Sequence, residues 1–93
     1  MTMQAAAERI AVVGRVLVVE DEEDIRDLVR FNLEREGFAV DEAGDGSGAL
    51  ETIGRQIPQA LLLDLMLPGM SGLELCRRLR ADARTSHLAI VML

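Results

Sequence analysis

Three carboxylate residues stand at the points where two apolar runs of the sequence end. Asp64 follows Leu61-Leu62-Leu63, and Glu20-Asp21 follow Val16-Leu17-Val18-Val19. Apolar runs of this length are typical of buried parallel strands, and open α/β sheets place their ligands at the carboxyl ends of such strands. If the two strands are neighbours, the three acids meet in one cluster, which needs a cation to stay fully ionised. Oxygen ligands at an open rim suit Mg²⁺, and a carboxylate beside that cation can accept a phosphoryl group. The plainer alternative is that Asp64 merely ends a strand.

The residues after Asp64 predict a tight loop followed by a helix. Pro68-Gly69 is a turn signal, and Ser71 with Glu74 has the spacing of a capping box. We therefore expect a helix over 72–82 that buries Leu75, Cys76 and Leu79.

The rest of the chain alternates between strands and helices. The helix predicted over 24–36 has an apolar face and ends before Gly37. A plain loop is expected over 44–48, and the second helix then continues until Pro58 stops it. Strands are predicted at 15–20, 38–42, 60–64 and 89–93, with His87 in the loop before the last. The apolar faces consist of Ile25, Leu28, Val29 and Leu33 in the first helix and of Leu50, Ile53 and Ile57 in the second. This order predicts an α/β fold with a parallel sheet and right-handed crossovers.

Composition excludes several classes of protein. The net charge of −6 and the presence of only two aromatic residues argue against nucleic-acid binding by this chain. One Cys and one His cannot form an internal disulfide, a Cys/His zinc site or a His-based catalytic triad. No apolar stretch is long enough to span a bilayer, and residues 1–14 make a poor signal peptide, so a cytoplasmic location is expected.

The two strand-end motifs together resemble the receiver domain of bacterial response regulators, and they are most similar to the OmpR/PhoB subfamily. The motifs are Val-Leu-Val-Val-Glu-Asp-Glu at 16–22 and Leu-Leu-Leu-Asp-Leu-Met-Leu-Pro-Gly-Met-Ser-Gly at 61–72. The resemblance covers residues 15–93, and residues 1–14 are expected to form a flexible or partly helical extension. It implies a flavodoxin-like (CheY-like) three-layer sheet of order 2-1-3-4.

The resemblance also implies a role for each matching residue. Asp64 matches the phospho-accepting aspartate, Asp21 an acidic Mg²⁺ ligand, and Glu20 its partner in the acidic pocket. Met66 matches the position whose backbone carbonyl binds the metal, and Pro68 and Gly72 match the loop at the pocket rim. The phosphoryl donor in such families is a phosphohistidine on a sensor histidine kinase. The domain is not expected to be an enzyme beyond catalysing its own phosphoryl transfer.

The chain departs from the family pattern at its end. The pattern continues after the fourth strand with a Thr or Ser, then a fifth strand that carries a Lys, whereas this sequence stops at Leu93 and contains no Lys. Thr85 precedes the fourth strand and cannot replace the missing hydroxyl. A partial receiver is therefore expected, with the fourth strand at an exposed sheet edge that favours self-association. Phosphorylation of Asp64 is expected to leave the rest of the chain little changed.

Two other functions remain as alternatives. Gly44-Asp45-Gly46-Ser47-Gly48-Ala49 fits the dinucleotide-binding pattern G-x-G-x-x-A. It lies on the second βα turn rather than the first, however, and Asp45 would repel a pyrophosphate. The other alternative is a phosphorylation-incompetent fragment that acts as an interaction module by docking a partner through its first helix.

Overall fold

The computed structural model describes residues 14–93, in which four strands alternate with three helices. The strands are β1 (Arg15–Val19), β2 (Ala39–Ala43), β3 (Ala60–Leu63) and β4 (Ala89–Met92). The helices are α1 (Glu23–Arg35), α2 (Gly46–Arg55) and α3 (Gly72–Ala81). The predicted extension over 1–14 lies outside the described residues except for Gly14, whose carbonyl accepts a hydrogen bond from the Ala39 N–H at 2.9 Å.

All four strands are parallel and lie in the order β2-β1-β3-β4. Val19, the last residue of β1, pairs with Ala43 of β2 on one side and with Leu63 of β3 on the other. The carboxyl ends of the three strands are therefore level at one edge of the sheet. The predicted flavodoxin-like fold and strand order are confirmed.

One apolar core lies between the sheet and helices α2 and α3. Alternate residues of β1 and β3 face it, because successive side chains of a strand point to opposite faces. Right-handed crossovers place α1 on the other face, since β2 and β3 lie on opposite sides of β1. The buried members of the core are Leu17, Val19, Ala43, Ala49, Ile53, Leu61, Leu63, Leu67, Leu75, Leu79 and Leu88.

The apolar face of α1 is largely uncovered. No residue of this helix is fully buried, and Ile25, Leu28 and Phe31 are 41%, 62% and 59% exposed. Val29 and Leu33 are half-buried. The predicted amphipathic helix is present, but only part of its apolar stripe reaches the sheet.

The predicted end of α1 at Gly37 is confirmed in detail. Gly37 has φ +96°, a conformation that glycine adopts without steric cost. The Gly37 N–H donates to the Glu34 carbonyl at 3.0 Å, and the Phe38 N–H donates to the Leu33 carbonyl at 3.1 Å. These two bonds form a Schellman motif, which satisfies carbonyls at the end of the helix.

Helix α2 begins earlier and ends earlier than the sequence predicted. The expected loop over 44–48 is wrong, because Asp45 caps a helix that begins at Gly46. The placement of Ile57 on the helix is also wrong: α2 ends at Arg55, and Ile57 is 44% exposed. Ile57 precedes Pro58, whose ring disfavours helical backbone in the residue before it.

Polar contacts shape the segment between α3 and β4. The Thr85 hydroxyl is buried and donates to the Leu79 carbonyl at 2.6 Å, so it caps α3. Arg80 Nη1 donates to the Leu88 carbonyl at 2.7 Å and holds the turn against the helix. His87 is exposed in this segment, as predicted, whereas Cys76 is half-buried rather than a core residue.

Within residues 14–93, no helix combines the length and apolar character needed to cross a membrane.

Candidate phosphoacceptor and metal site

Strand ends bring Glu20, Asp21 and Asp64 together. One carboxylate oxygen from each lies within 4.8 Å of the others. Asp64 joins the cluster because β3 pairs with β1 and the Asp64 N–H donates to the Val19 carbonyl at 3.0 Å. These are the three residues predicted from the sequence to form a cluster, and their proximity follows from the strand order 2-1-3.

Glu20 is the most buried of the three, with 4% of its surface exposed. Its N–H donates to the Ala43 carbonyl at 3.1 Å, and its Oε1 accepts the Glu22 N–H at 3.1 Å. Burial raises the pKa of Glu20; the Glu22 hydrogen bond opposes this effect, while the nearby carboxyl groups of Asp64 and Asp21 add to it. The cluster therefore resists full ionisation on its own, and a bound cation would relieve that cost.

Asp64 is half-buried, and its side chain is oriented by the loop that follows. Its Oδ1 accepts the Met66 N–H at 3.1 Å. The Met66 side chain points outward, with 78% of the residue exposed, and Leu65 is 40% exposed. The acidic cluster thus opens at a rim that carries apolar side chains.

Two glycines let the loop after Asp64 turn back to the sheet. Gly69 has φ +73°, which a residue with a side chain rarely adopts. Gly72 packs against the chain at Asp64 and Leu65, and its N–H donates to the Leu65 carbonyl at 3.1 Å. Leu67 is buried in the core and anchors the middle of the loop, while Pro68 is exposed.

Side-chain caps start both helices that flank this loop in space. Ser71 Oγ accepts the Glu74 N–H at 3.2 Å, which confirms the predicted start of α3. Asp45 Oδ1 accepts the Gly48 N–H at 2.7 Å at the start of α2. Since the Asp45 carboxylate occupies the position where a pyrophosphate would bind, the dinucleotide alternative loses its anion site.

Arg26 was missed by the sequence analysis. Its Nη1 donates to the Glu20 carbonyl at 2.7 Å, and its Nε donates to Glu42 Oε2 at 3.1 Å. A signal was available: Arg26 is the only basic residue between Glu20 and Val29, a stretch rich in acids. The partner of Arg26 could not be identified from the sequence, because Glu42 comes close to it only through the pairing of β1 with β2.

The sheet order and the strand-end carboxylates are those of a signalling receiver domain. The family model "Response regulator receiver domain" matches residues 16–93. The chain belongs to this family.

Similar proteins agree with this assignment. The chain is 51% identical over 79 residues to the phosphate regulon transcriptional regulatory protein PhoB of Rhizobium meliloti (strain 1021), a match that covers 85% of this chain and 35% of the relative. The N-terminal domain of a response regulator receiver protein from Methanoculleus marisnigri JR1 superposes with a TM-score of 0.83 at 32% identity, covering 86% of this chain and 65% of that one. A sensor protein from Polaromonas sp. JS666 gives a TM-score of 0.83 at 41% identity, covering 86% and 64%. The chain therefore spans about a third of the curated relative's length.

Proposed function

We propose that this chain accepts a phosphoryl group on Asp64 in a reaction that depends on Mg²⁺. The observation that carries the proposal is the approach of three carboxylate oxygens to within 4.8 Å at the end of β1 and β3. Glu20, Asp21, Asp64 and the backbone carbonyl of Met66 are the proposed metal ligands. Their oxygen atoms suit Mg²⁺, which is bound through a few carboxylates and keeps several waters.

Asp64 is the proposed nucleophile. The Met66 N–H holds Oδ1, which leaves Oδ2 as the oxygen that attacks phosphorus. The P–N bond of a phosphohistidine donor breaks as the P–O bond to Asp64 forms, and the electron pair returns to the donor imidazole. Mg²⁺, when bound, offsets the negative charge that accumulates between the carboxylates and the phosphoryl oxygens.

The proposed donor is the phosphohistidine of a sensor histidine kinase, as the family implies. The likeness to PhoB supports a role in regulating transcription, which would place the chain in the cytoplasm. The net charge of −6 favours a domain that does not itself bind DNA, so that any DNA contact would belong to a separate effector region.

A small-molecule phosphodonor tests the proposal directly. The chain is incubated with acetyl phosphate and Mg²⁺, and its intact mass is measured. We expect the mass of one added phosphoryl group in the wild type and in Asp24→Asn, which alters an exposed acid of α1 that is not one of the three clustered carboxylates. We expect no addition in Asp64→Asn or when Mg²⁺ is chelated. An adduct that persists in Asp64→Asn would show that the acceptor is misassigned.

The uncovered face of α1 favours a second candidate function, an interaction module that needs no phosphorylation. Leu28 and Phe31 present apolar surface of a kind that commonly marks a protein contact. If no phosphodonor modifies the chain, and a histidine-kinase domain binds the wild type and Asp64→Asn equally but Leu28→Glu less well, this second function replaces the first.

A further inference from the structure

The guanidinium group of Arg26 joins three elements behind the acidic cluster. Arg26 belongs to α1, its Nη1 donates to the carbonyl of Glu20 just beyond β1, and its Nε donates to the Glu42 carboxylate on β2. The planar guanidinium offers several N–H groups in fixed directions, which lets it serve both acceptors at once.

This connection is well shielded from solvent. The side chains of Arg26 and Glu42 are 18% and 22% exposed. The other Glu42 oxygen, Oε1, is buried and lies against Nη1 of Arg30, an ion contact whose angles do not make a hydrogen bond. Glu42 is thus held between two arginines, of which only Arg26 also reaches the acidic site. Hydrogen bonds to ionised partners in such a setting are stronger than those of exposed ion pairs.

The Glu20 carbonyl belongs to the peptide group that connects Glu20 to Asp21. On the other side of Glu20, the N–H is held by the Ala43 carbonyl at 3.1 Å. The peptide groups before and after Glu20 are therefore both restrained, the second of them by Arg26. Asp21 follows this peptide group directly and is itself exposed.

We propose that Arg26 is a positioning residue for the metal site: by holding the Glu20 carbonyl, it sets the directions of the Glu20 and Asp21 carboxylates. This inference rests on the proposed function, because it presupposes that the cluster binds Mg²⁺. Arg26 itself touches neither the metal nor the phosphoryl group. Partners that orient metal ligands in this way typically change metal affinity by about 10- to 100-fold when they are removed.

Arg30 provides the matched control. It lies one turn further along α1 and contacts the same Glu42 carboxylate, but it forms its ion pairs with Asp27, Glu34 and Glu42 and not with Glu20. Arg26→Gln and Arg30→Gln change the net charge equally and each remove one cation from Glu42. The difference between the two variants therefore reports the contact with the Glu20 carbonyl.

The experiment titrates each chain with Mg²⁺ by calorimetry and records amide spectra before metal is added. We expect Arg26→Gln to bind Mg²⁺ about 10-fold more weakly than the wild type or more, and Arg30→Gln to stay within about twofold. In the metal-free spectra, the Asp21 amide resonance should shift in Arg26→Gln and not in Arg30→Gln. At saturating Mg²⁺, the rate of phosphorylation of Arg26→Gln by acetyl phosphate should approach that of the wild type, because only the placing of the ligands is impaired.

Arg26→Lys keeps the positive charge and most of the aliphatic part of the side chain. It replaces Arg26→Gln in the experiment if that variant does not fold. Since an ammonium group lacks the planar fork, we expect weakened Mg²⁺ binding in this variant as well. Equal affinities in the Arg26 and Arg30 variants, with an unshifted Asp21 amide, overturn this inference while leaving the proposed function intact. A wild-type chain that binds no Mg²⁺ overturns the proposed function and this inference with it.

Discussion

Gly72 packs against Asp64 so closely that a β-carbon on residue 72 would lie 2.5 Å from the Asp64 carbonyl oxygen. The same atom would lie 3.0 Å from the α-carbon of Leu65. These neighbours are backbone atoms, which cannot rotate away. The close approach explains why the first residue of α3 is a glycine: the helix starts directly against the strand end that carries Asp64.

Gly72→Ala should destabilise the chain and disturb the site together. We expect a loss of about 1–3 kcal/mol in the free energy of unfolding, as is typical of overpacking, and weaker Mg²⁺ binding because the backbone at Asp64 must move. Gly54→Ala is the control, since nothing lies within 4 Å of its added β-carbon and it sits within α2. That substitution should stabilise the chain by about 0.5–1 kcal/mol. Urea unfolding of both variants measures the difference, and equal effects would contradict the packing argument.

Ser71→Ala should remove the cap of α3. Ser71 Oγ accepts the Glu74 N–H, and loss of such a cap costs about 1 kcal/mol. Ser47→Ala, at an exposed position in the first turn of α2, is the control and should leave stability nearly unchanged. Thermal unfolding of the two variants compares them. Similar melting temperatures would mean that the Ser71 bond contributes little in water.

Stability of the metal-free chain should depend on pH through Glu20. The pKa of Glu20 is raised above 4.5, mainly by burial, so the folded chain keeps a proton that the unfolded chain has already lost. Stability falls as pH rises wherever the folded state binds more protons. The free energy of unfolding of the wild type, relative to Glu20→Gln, should therefore decrease as pH rises from 4.5 through the raised pKa. Urea titrations with a chelator present measure this difference. If the free energy of unfolding rose with pH relative to Glu20→Gln, the pKa of Glu20 would not be raised in the folded chain.

Self-association of the 93-residue chain should involve β4. Within residues 14–93, β4 pairs with β3 alone and leaves one strand edge open, and Val91 is 49% exposed. A charged residue on such an edge discourages pairing with another copy. Val91→Lys should therefore lower the sedimentation coefficient at high concentration. Ile57→Lys is the control: Ile57 has a similar exposure (44%) but lies away from the sheet edge, so this change should not lower the sedimentation coefficient. A wild-type chain that stays monomeric at every concentration would refute the prediction.

The elements themselves could be predicted because their signals are local. Val16 to Val19 and Leu61 to Leu63 form continuous apolar runs, and burial on both faces of a parallel sheet demands such runs. The start of α2 could not be placed, because Gly46 and Gly48 disfavour a helix interior by intrinsic propensity. The Asp45 cap and the burial of Ala49 and Ile53 in the core outweigh that preference.

The sequence by itself determined the order of strands and helices, and it placed Glu20, Asp21 and Asp64 at strand ends. Both results depend on the spacing of apolar residues and on turn residues, and these signals can be read from positions that are neighbours in the sequence. The tertiary structure decided how these acids are held. It buries Glu20, brings Glu42 into hydrogen-bonding contact with Arg26, and packs Gly72 against the backbone of Asp64. Those relationships join residues on different elements, so they depend on how strands pair and helices pack, and no local pattern of residues contains them.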